Sequence, residues 1–247
     1  YASEVHLFDD MLNPIFPDDE DRRSERILQW IVDGMHKHRI ISPSSLTMGL
    51  IRENIAAGRQ AFGIINKYDL EWVNNRTNSA VAEAELQRMN SQAQHVKILK
   101  MTSIPSMAPD QSGTLGWTRM YCLTSRCRED KMQDAWHLMK FLGAKDTAGE
   151  YYTALRWFRL RGLGFAYQSL LNHPEIIAQT DQWGDIDLIR AQSKYVRTRE
   201  NIKAPWFPDF NIYYQPEIQK ILLKEQSPRD GLARIAQRCR KLKSEWG

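Results

Sequence analysis

Apolar positions recur at helical spacing in several stretches of the chain. Ile27, Trp30, Ile31 and Met35 form one stripe and predict a helix from about Ser24 to His36. A second helix is predicted from about Ser45 to Ala57, with Gly58 as the left-handed residue just past its end. Ala135, Trp136, Met139 and Leu142 predict a helix over Asp130–Leu142, and Ala148–Leu160 and Asp185–Arg199 read as two more. Phe210–Leu223 is predicted helical with an irregularity at Pro216. The last helix has the clearest start. Ser227 is a suitable N-cap, Pro228 fits the first helical position, and Leu232, Ile235, Ala236, Cys239 and Leu242 make the buried face.

Strand signals are shorter. Ala61–Ile65, Val96–Met101 and Trp117–Leu123 are compact apolar runs bounded by polar or turn residues, and each is predicted to be a strand. Asn74–Gln94 is polar and reads as loop with a fragment of helix, while Ala204–Pro208 reads as extended or turned because Pro restrains itself and its predecessor. Short strands separated by more numerous helices predict a helix-rich α/β domain rather than an all-α bundle.

Composition places few further limits. With 247 residues, 42% hydrophobic and 26% charged, the chain can bury a sizeable core. Net charge is only +4, and the one basic concentration is the last helix, with Arg234, Arg238, Arg240, Lys241 and Lys243. Cations suit a helix C-terminus, so this reads as a solvated face and nucleic acid is not expected as a partner. No run of about eighteen apolar residues exists, so no transmembrane helix is predicted. Cys122 and Cys127 have a spacing compatible with a disulfide in an oxidising compartment, and equally read as two small hydrophobes.

Candidate chemistry lies where predicted strands and turns end on aromatics beside planar polar groups. Flat rings cover the C–H face of a sugar, and Asn, Asp and Arg take its hydroxyls. Tyr68 directly follows a predicted strand, at the edge where open α/β sheets hold ligands, and reads equally as a core tyrosine. Asn66 and Asp69 flank it and serve equally well as caps of the following helix. Gly116 allows close backbone approach beside Trp117, and Arg119 can pair with hydroxyls or a carboxylate or simply with a surface acid. Trp206, Asp209 and Asn211 lie around the Pro-rich segment, a stretch suited to a pocket wall or to a plug beneath a loop.

Catalytic signatures are missing. There is no Gly-x-Ser-x-Gly elbow, Walker A loop, His-Glu-x-x-His or Cys-x-x-Cys. His36 and His38 fall on opposite sides of a helix end, and Asp18–Asp21 reads as a solvated acidic turn. No enzyme, metal or cofactor is expected.

Four segments, in order, carry a resemblance. Asn54-Ile55-Ala56-Ala57-Gly58-Arg59-Gln60-Ala61-Phe62-Gly63-Ile64, Gly116-Trp117, Gly162-Leu163-Gly164 and Ser227-Pro228 before the last helix together resemble the solute-binding proteins of ABC sugar transporters, extracellular family 1. The resemblance implies the C-terminal portion of a two-lobed periplasmic binding protein, with a signal peptide and most of the first lobe upstream. Residues 1–95 and 145–247 would form the ligand-binding lobe, and 96–144 would cross into the other. It implies a monomer that captures a sugar or polyol in an interlobe cleft and delivers it to a membrane permease. Tyr68, Trp117 and Trp206 would stack, Asn66, Asp69, Arg119, Asp209 and Asn211 would hydrogen-bond, and Gly116 would admit the ligand. The alternatives are a carbohydrate-active enzyme using the same aromatic pocket and a protein-interaction module using the basic last helix.

Overall fold

The computed structural model describes residues 3, 5–42, 48–106, 113–116 and 121–246. Ten α-helices are described: α1 (Arg23–His36), α2 (Met48–Ala56), α3 (Asp69–Val73), α4 (Ala80–Arg88), α5 (Glu129–Gly143), α6 (Tyr152–Arg161), α7 (Pro174–Trp183), α8 (Ile186–Ser193), α9 (Phe207–Leu222) and α10 (Pro228–Trp246). Among the described residues, strand is confined to β1 (Thr114–Leu115) and β2 (Val196–Arg197), which pair in parallel, and to two isolated bridges. The structure is therefore helix-rich, as the patterning predicts. The layered sheet is not formed among the described residues. No described helix is long and apolar enough to cross a membrane.

The chain divides into two compact units. It passes between them four times: the first comprises Tyr1–Met48, Ser103–Gly116 and Gln192–Gly247, and the second Gly49–Thr102 and Trp117–Ala191.

In the first unit, α1, α9 and α10 pack together over a core of Phe8, Phe16, Trp206, Phe210, Leu232, Ile235, Cys239 and Leu242. α10 follows its sequence closely. Ser227 Oγ accepts from the Asp230 backbone N–H at 3.1 Å and donates to the Asp230 carboxylate at 2.7 Å, so two groups at the helix start satisfy each other. All five predicted apolar positions are buried. Gly231 lets α10 lie close to α9, since a Cβ there would stand 2.4 Å from Ile221 Cδ1. Burial pushes the Cys239 thiol up to about 11, which leaves it an inert core group. The basic residues of α10 are partly used within the fold: Lys243 donates to the Met11 carbonyl and Asn13, and Arg238 lies over the Tyr213 ring.

In the second unit, α2, α3, α6, α7 and α8 surround a core of Ile55, Leu70, Val73, Leu155, Phe158, Leu171, Ile176, Trp183, Ile186 and Ile189. Gly58 takes φ +71° after α2, as predicted. α4 falls within the stretch read as mostly loop. Its N-cap is Ser79, whose Oγ accepts from Ala82 N–H and donates to the Ala56 carbonyl, each at 3.2 Å. Two of the expected strands are corrected to irregular chain. Ala61–Ile65 runs with Gly63 close to α2 and Phe62 and Ile64 86% and 74% exposed, and no described segment pairs with it. Val96–Met101 is held by single bonds, not a ladder. Of the third, Trp117–Met120 lies outside the described residues and Tyr121–Leu123 is irregular and exposed. All three cysteines are free.

Candidate functional site

The expected ligand residues fall into the two units, and each group has its own local cause. In the second unit, the chain leaves the apolar run at Ile65 and turns into α3. Asp69 N–H donates to the Asn66 carbonyl at 2.9 Å, and Asn66 returns its backbone N–H and side-chain amide to Asp69 Oδ2 at 3.3 and 3.2 Å. Arg52 donates to the other carboxylate oxygen at 3.2 Å, and its guanidinium also covers the Trp72 ring at 4.4 Å. Asp69 is thus buried, and both its oxygens are committed to holding the turn. Tyr68 stands on that turn with its ring 36% exposed and its hydroxyl unbonded, beside the exposed Asn66. The turn presents one aromatic and one amide to solvent on a rigid base.

In the first unit, Gly116 continues from β1, and its N–H donates to the Arg197 carbonyl at 2.9 Å. A Cβ at Gly116 would lie 2.1 Å from Val196 Cγ1, so this glycine serves the parallel pair. Trp206 is 3% exposed. Its ring clusters with those of Phe8 and Phe210, with centroids 6.0 and 5.9 Å away, so this structure places it in the core and away from solvent. Of the stretch read as extended or turned, residues 204–206 are turned and α9 begins at Phe207, with Pro208 in its first turn where a missing N–H costs nothing; with Trp206 buried, the plug is the form this segment takes. Asn211 accepts from Arg199 at 3.0 Å. Asp209 is exposed and borders an open groove of about 370 Å³ with Ile212, Tyr213, Pro216, Glu217 and Arg238. Trp117 and Arg119 lie outside the described residues.

Two clusters were not visible in the sequence. His95 Nε2 lies 2.8 Å from Glu71 Oε1 and 3.2 Å from the Asn75 amide nitrogen, and its Nδ1 is buried without a partner. The His95 hydrogen bond, then that of Asn75, with the charges of His95 and Arg161, hold the Glu71 carboxyl below its usual range against the opposing effect of burial. No hydroxyl or thiol nucleophile is bonded to this pair, and no described group of three His, Cys, Asp or Glu could hold a metal. The pair fastens α3 to the 94–96 segment.

The second cluster is a small cavity of about 20 Å³ lined by Lys67, Phe158, Gly164, Phe165, Thr180 and Trp183, among others. Its polar residues come from distant parts of the chain, so no local motif announces them. Periodicity alone points to Trp183 and Thr180 as the inner face of α7.

No family model matches the chain, and neither the curated proteins nor the solved structures contain a match to it.

Proposed function

We propose that this chain captures a sugar or related polyhydroxylated solute without transforming it, as a periplasmic binding component that hands its cargo to an ABC-type membrane permease. The observation that carries this reading is the path of the chain. It enters and leaves two compact units four times, at residues 48/49, 102/103, 116/117 and 191/192. In the solute-binding proteins that the sequence resembles, the chain likewise crosses between two lobes several times, and those lobes close on a solute by hinge bending. The four family-like segments support the same reading from the sequence.

The contact surface we assign is the Asn66–Tyr68 turn. The Tyr68 ring would cover the apolar face of a pyranose and Asn66 would take adjacent hydroxyls, while Asp69 and Arg52 hold the turn in shape. Trp206 is left out of this assignment because it is buried in the core with Phe8 and Phe210.

The test is calorimetric titration of the chain with a panel of mono- and oligosaccharides and polyols, followed by recovery of the bound compound. Saturable binding of at least one, recovered chemically unchanged, is expected. Absence of binding across the panel contradicts the reading, and recovery of a cleaved or modified sugar replaces capture with catalysis.

A further inference from the structure

The cavity beside Lys67 combines two unmet hydrogen-bond donors with a cation. Thr180 and Trp183 are 0% and 2% exposed, and neither Thr180 Oγ1 nor Trp183 Nε1 has a partner. Both residues line the cavity, whose other walls include Phe158, Phe165, Leu171, Ile176, Ile186 and Ile189. An indole N–H can only donate, and leaving one unpaired in an apolar interior is costly. At the mouth, Lys67 is exposed, and its ammonium lies 5.7 Å from the Phe165 ring centroid. Gly164 is so close that a Cβ there would stand 2.8 Å from Lys67 Cε. Among the described residues no carboxylate pairs with this ammonium, and burial pushes its pKa below the ordinary lysine value.

The two buried donors lack an acceptor, and the cation beside them favours a negative one. The enclosed volume of about 20 Å³ has room for about one oxygen atom, with the remainder of a ligand standing in the mouth over Phe165 and Lys67. We infer that this pocket binds the carboxylate of a small organic acid, one oxygen accepting from Trp183 and Thr180 and the charge facing Lys67. Planar carboxylates suit such convergent donors, and the apolar walls strengthen the charge-assisted bonds by excluding water. This site is independent of sugar capture at Tyr68 and stands or falls without it.

The test uses the indole N–H resonance of Trp183 in nitrogen-15-labelled protein, assigned by its loss in Trp183→Phe. Titration with sodium acetate against sodium chloride at equal ionic strength should move that resonance saturably. Acetamide, its neutral counterpart, should move it at least ten-fold less at equal concentration. Lys67→Met, which keeps the stem and removes the charge, should weaken the acetate response by ten-fold or more, and Thr180→Val should weaken it in a protein whose remaining spectrum is unchanged. No saturable acetate shift, an equal response to acetamide, or an undiminished response in Lys67→Met would each overturn the proposal. The second of these would identify the pocket as a site for a water or neutral oxygen.

Discussion

Asn74 and Trp183 touch in the core of the second unit, yet their polar groups are treated in opposite ways. The Asn74 side chain is wholly buried. Its amide donates to the carbonyls of Leu99 and Trp183, each at 2.8 Å, and its oxygen accepts from Leu99 N–H at 2.9 Å. It joins the end of α3, the 96–99 segment and the end of α7, with both donors used and its oxygen bonded. A few atoms away the Trp183 indole N–H and the Thr180 hydroxyl are equally buried and bonded to nothing. A satisfied buried amide specifies structure. Unsatisfied donors gathered around a cavity cost stability and are kept where something else benefits.

That difference can be broken from either side. Asn74→Ala should be the most damaging single change, removing about 2–4 kcal/mol from the unfolding free energy, because it strands two carbonyls and an N–H in the interior. Urea unfolding measures it, and a loss below about 1 kcal/mol would show that water or rearrangement replaces the amide. Thr180→Val removes an unpaired hydroxyl at nearly constant shape. Its effect should lie within about 1 kcal/mol of zero and lean toward stabilisation. A loss comparable with that of Asn74→Ala would mean that the hydroxyl is bonded in solution.

The Glu71–His95 pair gives a smaller, pH-dependent effect. The folded Glu71 carboxyl lies below its ordinary value of 4.5, so its contribution is complete above that value and is lost as pH falls through the lowered folded one. Glu71→Gln should therefore flatten the acid limb of the stability curve below about pH 4.5 and leave its slope above pH 6 unchanged. The same acid limb in the variant would assign that loss to other carboxylates. Smallest of all, Asp130→Asn, which breaks the exposed Arg128–Asp130 pair, should change stability by less than about 0.5 kcal/mol in the same unfolding assay.

Legibility in the sequence followed the range of the interactions. α10 could be read almost completely, because its cap and apolar stripe are local features within one helix. α4 could be read only as a helical fragment without bounds, because a polar helix tied down by Ser79 to Ala56 shows no broad apolar stripe. Ala61–Ile65 has the compact apolar run of a strand, but pairing is a property of two segments, and no described segment pairs with it. The candidate site divides in the same way. Asn66, Tyr68 and Asp69 could be picked out by their position after an apolar run, but the commitment of Asp69 to Arg52 could not. Trp206 illustrates the converse, since an aromatic between two prolines looks available until Phe8, distant in sequence, covers it. Lys67, Thr180 and Trp183 form a group only once α7 has packed beside the 67–70 turn.

The most direct test of the capture account compares Tyr68→Ala with the unaltered chain in calorimetric titrations against the sugar of the panel that binds best. The account predicts saturable binding weakened by about 1–3 kcal/mol in the variant, the loss of one large aromatic contact, with unfolding midpoints that agree because Tyr68 lies on an exposed turn. Equal affinities would remove Tyr68 from the site and contradict the account.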